Sequence, residues 1–391
     1  MITGNPERVW KAFGHEQPDR TPLFEIFQSY HPIHWPICGR TIGSDAAMAW
    51  DAMSEGVAWE ELFEAEAQAQ FQVCRHFELD MVRLNGGTPR NYVRPEKLGV
   101  NRWRRNGIEY ALNERIAMVE VANPGEELAD SHRISEDDVR REVEAWDGSP
   151  GQDGDDFPMH RRVRELAEAD GIKWVYMGEI GAGTGAAFYP PFLLMWMLLE
   201  PEMYQRWLAM KKIPSFRRTE GMIRAGMEVI AMGGDVSCDK GPFISPDLYR
   251  EFILPVIQEH IGIIHRTGAR AVYTSDGNHW AIQQEMFFDS GADGYKEVDK
   301  AAGMTMERLI EAGIDRQLCI IGNIDARHTL CHGTPKEVEQ EVVTCLRLGQ
   351  VSPGGHILHN SHSVHEDVKA GNYRAGVNAY RRYFGMPQLP K

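Results

Sequence analysis

Polar side chains, most of them acidic, amide or imidazole groups, stand at the ends of short apolar segments throughout this sequence. They are Glu25, Asp80, Arg83, Asn85, Glu179, Asp235, Asp239, Asp276, Asn278, Glu297, Asp299, Asn323, Asp325, His359, Asn360 and His362. Carboxylates gathered in one place repel one another unless a cation, a bound proton or a positively charged substrate lies among them. The pattern therefore indicates either a metal site or carboxyl groups with raised pKa values.

Four histidines recur at every third residue near the end of the chain: His356, His359, His362 and His365. Alternate residues of a strand face opposite sides, so His356 and His362 would share one face and the other two the opposite face. The four histidines therefore cannot all bind the same ion. We select His362, because it falls where its strand should open into a site.

The elements that must position these residues alternate regularly. Short apolar segments lie at residues 21–27, 79–84, 173–180, 229–236, 269–275, 291–298, 317–324 and 355–362. Between them lie longer segments with helical spacing, including 47–71, 191–224, 246–267, 280–290, 305–312, 335–348 and 372–384. Eight strands with intervening helices predict an α/β fold, the (β/α)8 TIM barrel, whose functional residues lie at the carboxyl ends of the strands.

The length of 391 residues fits one such domain with additions. A barrel of this kind needs about 250 residues. We interpret residues 1–391 as a single barrel domain with an N-terminal extension and an insertion at 87–161, after the second strand. The insertion should contain a hairpin, formed by residues 100–103 and 110–121, and an acidic loop at 148–156.

Composition excludes several classes of protein. Lys and Arg number 42 against 57 Asp and Glu, and the resulting net charge of −15 repels a nucleic-acid backbone. The six cysteines are scattered, which is typical of reduced thiols in a cytosolic protein. The apolar stretch at 192–199 is far shorter than the ~20 residues that a membrane helix requires. We therefore expect a cytoplasmic location and neither a nucleic-acid nor a membrane partner.

Several motifs together resemble the uroporphyrinogen decarboxylase superfamily between about Thr21 and Gly385. They are Gly234-Asp235, the segment from Gly241 to Pro246, Pro255, Ser275-Asp276-Gly277-Asn278, Gly291-Ala292-Asp293-Gly294, Ala302-Gly303-Met304, Gly322-Asn323-Ile324-Asp325 and Ser361-His362-Ser363. The resemblance implies a (β/α)8 barrel. It also implies one of two chemistries, which are cofactor-free decarboxylation of porphyrinogen acetates and methyl transfer to or from corrinoid proteins, often with zinc.

The sequence departs from both patterns. Decarboxylases of this superfamily carry an Arg-Gln-Ala-Gly-Arg segment after the first strand, whereas this chain has no arginine from Ile26 until Arg40. An anionic tetrapyrrole would therefore lack its clamp. The zinc methyltransferases have His-x-Cys after strand five and a cysteine near strand eight. The corresponding residues here imply an oxygen and imidazole site for zinc, formed by Asp276, His362 and Glu25.

The resemblance is closer to the methyltransferase branch. We expect an enzyme of O- or N-demethylation that moves a methyl group, preferably from a methoxylated aromatic compound, to a corrinoid (cobalamin) on a partner protein. The expected catalytic residues are Asp276, His362, Asp235 and Glu25. The residues expected to contact or shape the substrate pocket are Phe27, Tyr30, Trp35, Asp80, Glu179, Tyr273, Asn278 and Asn323.

Two alternatives stay open at this point. In the first, the chain decarboxylates a small organic acid without a cofactor, and Asp80 stabilises a developing cation. In the second, the barrel binds a corrinoid or another small ligand without catalysis. The sequence leaves the identity of the methyl donor, the presence of zinc and the formation of a homodimer undecided.

Overall fold

Eight parallel strands form the centre of the molecule. The computed structural model describes residues 4–122, 135–149, 156–180 and 191–389. The barrel strands are β1 (Phe24–Glu25), β2 (Met81–Val82), β3 (Val175–Ile180), β4 (Val229–Gly233), β5 (Arg270–Thr274), β6 (Gly294–Lys296), β7 (Cys319–Ile321) and β8 (His356–Ile357). Each strand pairs in parallel with the next, and the parallel bridge between Leu23 and Leu358 closes the ring. The predicted (β/α)8 barrel is confirmed.

Helices surround the strands. Their bounds are Pro6–Phe13, Trp35–Cys38, Ala46–Glu55, Trp59–His76, Glu136–Ala145, Pro158–Ala169, Phe192–Leu199, Pro201–Arg224, Pro246–Leu248, Leu254–Arg266, Met306–Glu311, Pro335–Val351 and Ala370–Tyr383. Wider π-helical turns occupy Tyr249–Ile253, Gln284–Asp289 and Ala326–Leu330, and 3-10 turns occupy Pro32–His34, Trp280–Ile282 and Ile314–Arg316. A capping box between Thr334 and Glu337 begins the helix that follows β7.

Two of the expected helices are each divided in two. The segment expected at 47–71 breaks at Gly56, whose φ of +81° gives a left-handed helix end that glycine adopts without strain. The segment expected at 191–224 breaks before Pro201, which has no N–H to continue the preceding helix. Local backbone chemistry therefore decides these ends, although both halves keep helical spacing.

The interior of the barrel is apolar and is closed at one end. It is filled by Phe24, Ile26, Met81, Val175, Met177, Val229, Ala231, Val272, Cys319, Ile321 and Ile357. The first helix packs Val9, Ala12 and Phe13 against the same cluster. Its capping residue Asn5 lies beside Asp80, which directly precedes β2. The N-terminal extension therefore covers the amino end of the barrel and leaves the carboxyl end for a site.

A separate antiparallel sheet lies between β2 and β3 in the sequence. Its four strands are Glu96–Gly99, Arg102–Arg105, Ile108–Asn113 and Met118–Val121. The hairpin expected at 100–103 and 110–121 falls in this sheet, but its second segment contains two strands joined by a turn. Trp103 packs the sheet against Trp50. Residues 150–155 of the expected acidic loop lie outside the described residues.

Within the described ranges, no helix combines the length and the apolar character that crossing a lipid bilayer requires.

Candidate active site at the mouth of the barrel

Three potential metal ligands meet at the carboxyl ends of the strands. Asp276 follows β5, Asp299 follows β6 and His362 follows β8. Nε2 of His362 lies 3.1 Å from Oδ2 of Asp276. One ligand atom from each of the three residues lies within 4.8 Å of the other two. The structure therefore brings Asp276 and His362 together and adds Asp299, which the sequence had placed at a strand end without a role.

Neighbouring groups orient these ligands. Nδ1 of His362 lies 2.9 Å from the hydroxyl of Ser361, which leaves Nε2 to face Asp276. Arg327 donates to Oδ2 of Asp299 at 3.1 Å and also pairs with Asp239. A residue that holds a ligand in one orientation reduces the reorganisation needed on metal binding. Neighbouring residues therefore hold His362 and Asp299, two of the three potential ligands, in place.

The protonation states at the mouth differ between adjacent carboxyl groups. Partial burial, together with the charges of Asp276 and Glu297, raises the pKa of Asp235 to about 6, although its side chain still reaches solvent. The hydrogen bond from His362 lowers the pKa of Asp276. Burial acts to lower the pKa of His362, but the hydrogen bond and charge of Asp276 outweigh burial and raise it. Asp235 is therefore a carboxyl that can carry a proton beside an ionised one.

The donor set fits a borderline divalent cation. Two carboxylate oxygens and one imidazole nitrogen are ligands that Zn²⁺ accepts. Three protein ligands also leave a coordination position for a substrate atom, as in catalytic zinc sites. A cation would in addition relieve the repulsion between Asp276 and Asp299. The residues present are therefore compatible with the expected zinc, through oxygen and nitrogen donors alone.

A chain of buried ion pairs adjoins this group. The fully buried Lys296 lies 2.9 Å from Oε1 of Glu179 and 2.9 Å from Oε1 of Glu297. Arg83 contacts the second oxygen of Glu179, also at 2.9 Å. Burial acts to raise the pKa of Glu179, but Lys296 and Arg83 lower it to about 2. Lys296 was missed from the sequence, although lysine within a predicted buried strand is itself a signal, because lysine is almost never buried unpaired.

Glu25 does not join the three potential ligands. Its carboxylate accepts a hydrogen bond from the side chain of Asn360 and lies 3.2 Å from Nδ1 of His359. Leu23 and Phe27, two residues to either side, belong to the layer between strands and helices. Side chains alternate along a strand, so Glu25 faces that layer rather than the barrel axis. Of the expected ligand set of Asp276, His362 and Glu25, the structure therefore brings the first two together and not Glu25, and the third potential ligand beside them is Asp299.

Phe27 and Tyr273 are also misplaced by the prediction. Phe27 stacks on Phe77 with ring centroids 5.6 Å apart, and Tyr273 is fully buried with its hydroxyl 2.9 Å from that of Tyr249. Both side chains belong to the layer outside the strands. The prediction that they line a substrate pocket is wrong, because that role requires the opposite face of each strand.

Asp80 lies at the wrong end of the barrel for chemistry. Its carboxylate accepts hydrogen bonds from the backbone N–H groups of Asn5 and Leu23 and from the guanidinium of Arg8. Arg20 lies 3.8 Å away. Asp80 precedes β2 instead of following it. Its contacts contradict the expectation that it binds substrate, because this network fastens the N-terminal segment under the barrel.

Four further residues of the expected pocket use their polar groups within the protein. The hydroxyl of Tyr30 contacts Glu66, and the indole N–H of Trp35 donates to the Ser44 carbonyl at 2.9 Å. The side-chain oxygen of Asn278 accepts from the N–H of Trp280, and the side-chain amide of Asn323 donates to the Met304 carbonyl. These contacts fix loops around the mouth, and a substrate contact for any of the four stays a prediction.

Comparisons with known proteins agree with this architecture. The family model described as uroporphyrinogen decarboxylase (URO-D) matches residues 184–383. Two curated uroporphyrinogen decarboxylases, from Chlorobium luteolum and Chlorobium phaeobacteroides, are each 26% identical over 52% of this chain and 56% of their own length. The match thus spans about half the length of these curated relatives.

A solved methyltransferase from Methanosarcina mazei shares the fold. It aligns with a TM-score of 0.64 and 19% sequence identity over 98% of this chain and 99% of its own. The barrel strands from β4 to β8, and with them Asp235, Asp276, Asp299 and His362, all lie within the 200 residues that the family model matches. Because this match covers just over half of the 391 residues, the chain belongs to the uroporphyrinogen decarboxylase (URO-D) family.

Proposed function

We propose that this protein is a methyltransferase of a corrinoid-dependent demethylation system. It would take a methyl group from an O- or N-methyl substrate, with methoxylated aromatics favoured, and pass it to a corrinoid carried by a partner protein. The observation that carries this proposal is the group of Asp276, Asp299 and His362 at the mouth, with the protonatable Asp235 beside it. The fold shared with a known methyltransferase supports it.

The chemistry of ether cleavage explains why such a group is useful. When the methyl group leaves, the C–O bond breaks and its electron pair stays on the oxygen. That oxygen leaves poorly unless it gains a proton or binds a cation. A reduced corrinoid would supply the nucleophile that accepts the methyl group. The barrel therefore has to hold the ether oxygen next to a proton donor or a positive charge.

The residues at the mouth divide this work. Asp235 holds a proton at mildly acidic pH because partial burial and the charges of Asp276 and Glu297 oppose its ionisation, and it can give that proton to the leaving oxygen. Asp276, Asp299 and His362 would hold a zinc ion, whose chemistry is that of a Lewis acid. Lys296 and Arg83 together balance the charges of Glu179 and Glu297, which holds these side chains in place.

Decarboxylation through Asp80 is not proposed. The carboxylate that this alternative requires is enclosed at the amino end of the barrel by Arg8 and by the N–H groups of Asn5 and Leu23. A carboxyl with a raised pKa beside other ionisable groups is more typical of a catalytic site than of a simple binding site, and Asp235 at the mouth has such a pKa. The mouth therefore favours methyl transfer over both alternatives.

The direct test is a spectroscopic assay. The purified protein is incubated with reduced cobalamin and a panel of methoxylated aromatics and methylamines. We expect the methylcobalamin absorption spectrum to grow with at least one donor. Elemental analysis of the same sample measures bound zinc separately. If no donor changes the spectrum even when a competent corrinoid protein is present, the proposed function is wrong.

The rate of methyl transfer should depend on pH through Asp235. The folded pKa of about 6 lies above the ordinary Asp value, so the protonated form is present below pH 6 and is lost as pH rises through that value. We expect kcat to fall about tenfold per pH unit above pH 6. The Asp235→Asn variant should lack this limb. A limb near pH 6 that persists unchanged in the variant would show that Asp235 is not the donor.

A further inference from the structure

A fully buried histidine lies in the turn that follows β5, close to the potential zinc ligands. His279 has no exposed surface, and its ring packs edge-on against that of Tyr295, with ring centroids 5.9 Å apart. Burial lowers the pKa of His279 to about 4, although the carbonyl of Ser275 and the charges of Asp276 and Asp299 act to raise it. The ring is therefore neutral at pH 7, and one of its nitrogens donates a hydrogen bond while the other accepts one.

Both ring nitrogens of His279 have partners in the loops at the mouth. Nε2 lies 3.1 Å from the carbonyl oxygen of Ser275, and Nδ1 lies 2.8 Å from the hydroxyl of Ser237. A carbonyl oxygen only accepts hydrogen bonds, so Nε2 carries the proton and donates it to Ser275. Nδ1 then accepts a hydrogen bond from the Ser237 hydroxyl. One side chain therefore joins the loop after β5 to the loop after β4.

The bond to Ser275 acts on the backbone of a potential ligand. The carbonyl of Ser275 belongs to the planar peptide unit that leads into Asp276. Its oxygen accepts from Nε2 of His279 and also from the hydroxyl of Tyr295, at 3.3 Å. Two buried donors from different parts of the chain thus fix the orientation of this peptide. The direction in which the Asp276 side chain leaves the backbone depends on that orientation.

The partner of Nδ1 is itself held in place. Ser237 lies in a short hairpin that follows β4. The backbone N–H of Asn278 donates to the carbonyl of Cys238 at 2.9 Å, which ties this hairpin to the loop after β5. Gly277, with a φ of +92°, permits the close approach, because a Cβ there would lie 2.9 Å from the carbonyl group of Ser237. The hairpin therefore gives His279 a fixed partner.

We propose that His279 is a positioning residue that holds Asp276 in the orientation needed to bind zinc. It acts through the peptide between Ser275 and Asp276, and the inference rests on the zinc site of the proposed function. A hydrophobic side chain would fill the same space without the cost of burying two ring nitrogens. Groups that orient a metal ligand typically change metal affinity by 10- to 100-fold when they are removed.

The test uses two substitutions of His279 that each keep one of its hydrogen bonds. His279→Gln places an amide N–H near the position of Nε2 and keeps a donor for Ser275, whereas His279→Asn keeps only an acceptor for Ser237. The zinc affinity of the metal-free protein is measured by competition with a chromogenic chelator. We expect His279→Asn to weaken zinc binding about tenfold or more and His279→Gln to retain most of the affinity.

A spectroscopic readout and a milder variant accompany these measurements. The visible absorption bands of the cobalt(II)-substituted protein report the geometry around the ion, and they should change in His279→Asn. Ser237→Ala removes a single oxygen atom and does not threaten the fold. It frees the ring of His279 on one side, so we expect zinc binding to weaken about threefold.

The matched control is His260→Asn. His260 is also fully buried and contacts a hydroxyl, that of Thr219 at 2.7 Å, but it lies in the outer helix Leu254–Arg266. The control should lower the midpoint of thermal unfolding about as much as His279→Asn does. It should leave the zinc affinity and the cobalt spectrum unchanged, because His260 has no contact with the loops of the site among the described residues.

Unchanged zinc affinity in both His279→Asn and Ser237→Ala would overturn the inference, and so would an equal loss of affinity in His260→Asn. Failure of the unaltered protein to bind either ion would also overturn it. Zinc binding that depends on His279, without methyl transfer from any donor, would support the inference and contradict the proposed function. Methyl transfer by a protein whose zinc affinity does not depend on His279 would uphold the function and overturn the inference.

Discussion

Replacing Asp276 by asparagine should reduce kcat for methyl transfer by about 100-fold or more, with the fold intact. The substitution keeps the size of the side chain but removes the negative charge that pairs with Nε2 of His362. It also weakens one of the three potential zinc ligands. Methyl transfer is measured with reduced cobalamin, and bound zinc is measured on the same sample, where we expect a parallel loss.

A second readout separates a chemical role for Asp276 from a structural one. The charge of Asp276 helps to raise the pKa of Asp235, so its removal should move the acidic limb of the rate profile below pH 6. The control is Asp247→Asn, since Asp247 is a 91% exposed carboxylate whose ion-pair partner among the described residues is the surface residue Arg250. Its rate and pH profile should match those of the unaltered protein. An Asp276→Asn variant that keeps full activity and an unmoved limb would remove Asp276 from the mechanism.

The barrel was predictable because its strands are buried on both faces. Each of the eight apolar segments contains one strand, but the paired parts are shorter, as in 79–84, where only Met81–Val82 lies in the strand. Burial extends beyond the paired residues into the adjoining turns, so an apolar pattern overestimates strand length. The helix ends at Gly56 and Pro201 depend on single residues within long amphipathic segments. The periodic spacing of apolar residues continues across these positions, so it does not reveal the break.

The site was predictable only in part. Its members depend on which face of a strand a side chain lies on and on which end of the strand the residue occupies. Asp276 and His362 come after their strands, and the sequence alone placed them at the carboxyl end. Glu25 and Tyr273 also stand at strand ends, but a shift of one residue turns a side chain from the barrel axis to the helix layer. The sequence does not give the register of strand pairing, so it does not determine which side chains point toward the barrel axis. Asp80 begins its segment rather than ending it, and its position within 79–84 could have corrected the assignment.

Replacing Asp80 by asparagine should lower the free energy of unfolding by about 3–5 kcal/mol, a typical loss when one partner of a buried ion pair is removed. Among the described residues, the hydrogen-bond and ion-pair partners of this carboxylate are all donors: the N–H groups of Asn5 and Leu23 and the guanidiniums of Arg8 and Arg20. An asparagine amide would turn an N–H toward some of them and remove the buried carboxylate charge that lies 3.8 Å from Arg20. Denaturant unfolding followed by circular dichroism measures the loss.

The neighbouring Asp19 provides the control for this prediction. It pairs with the opposite side of Arg8, at 2.6 Å, but is 65% exposed, so Asp19→Asn should cost less than about 1 kcal/mol. Because Asp80 lies under the barrel, the folded Asp80→Asn protein should keep its kcat and KM for methyl transfer at low temperature. Loss of activity without loss of stability would return Asp80 to the chemistry. Equal destabilisation by the two substitutions would show that burial of Asp80 does not make its ion pairs the stronger ones.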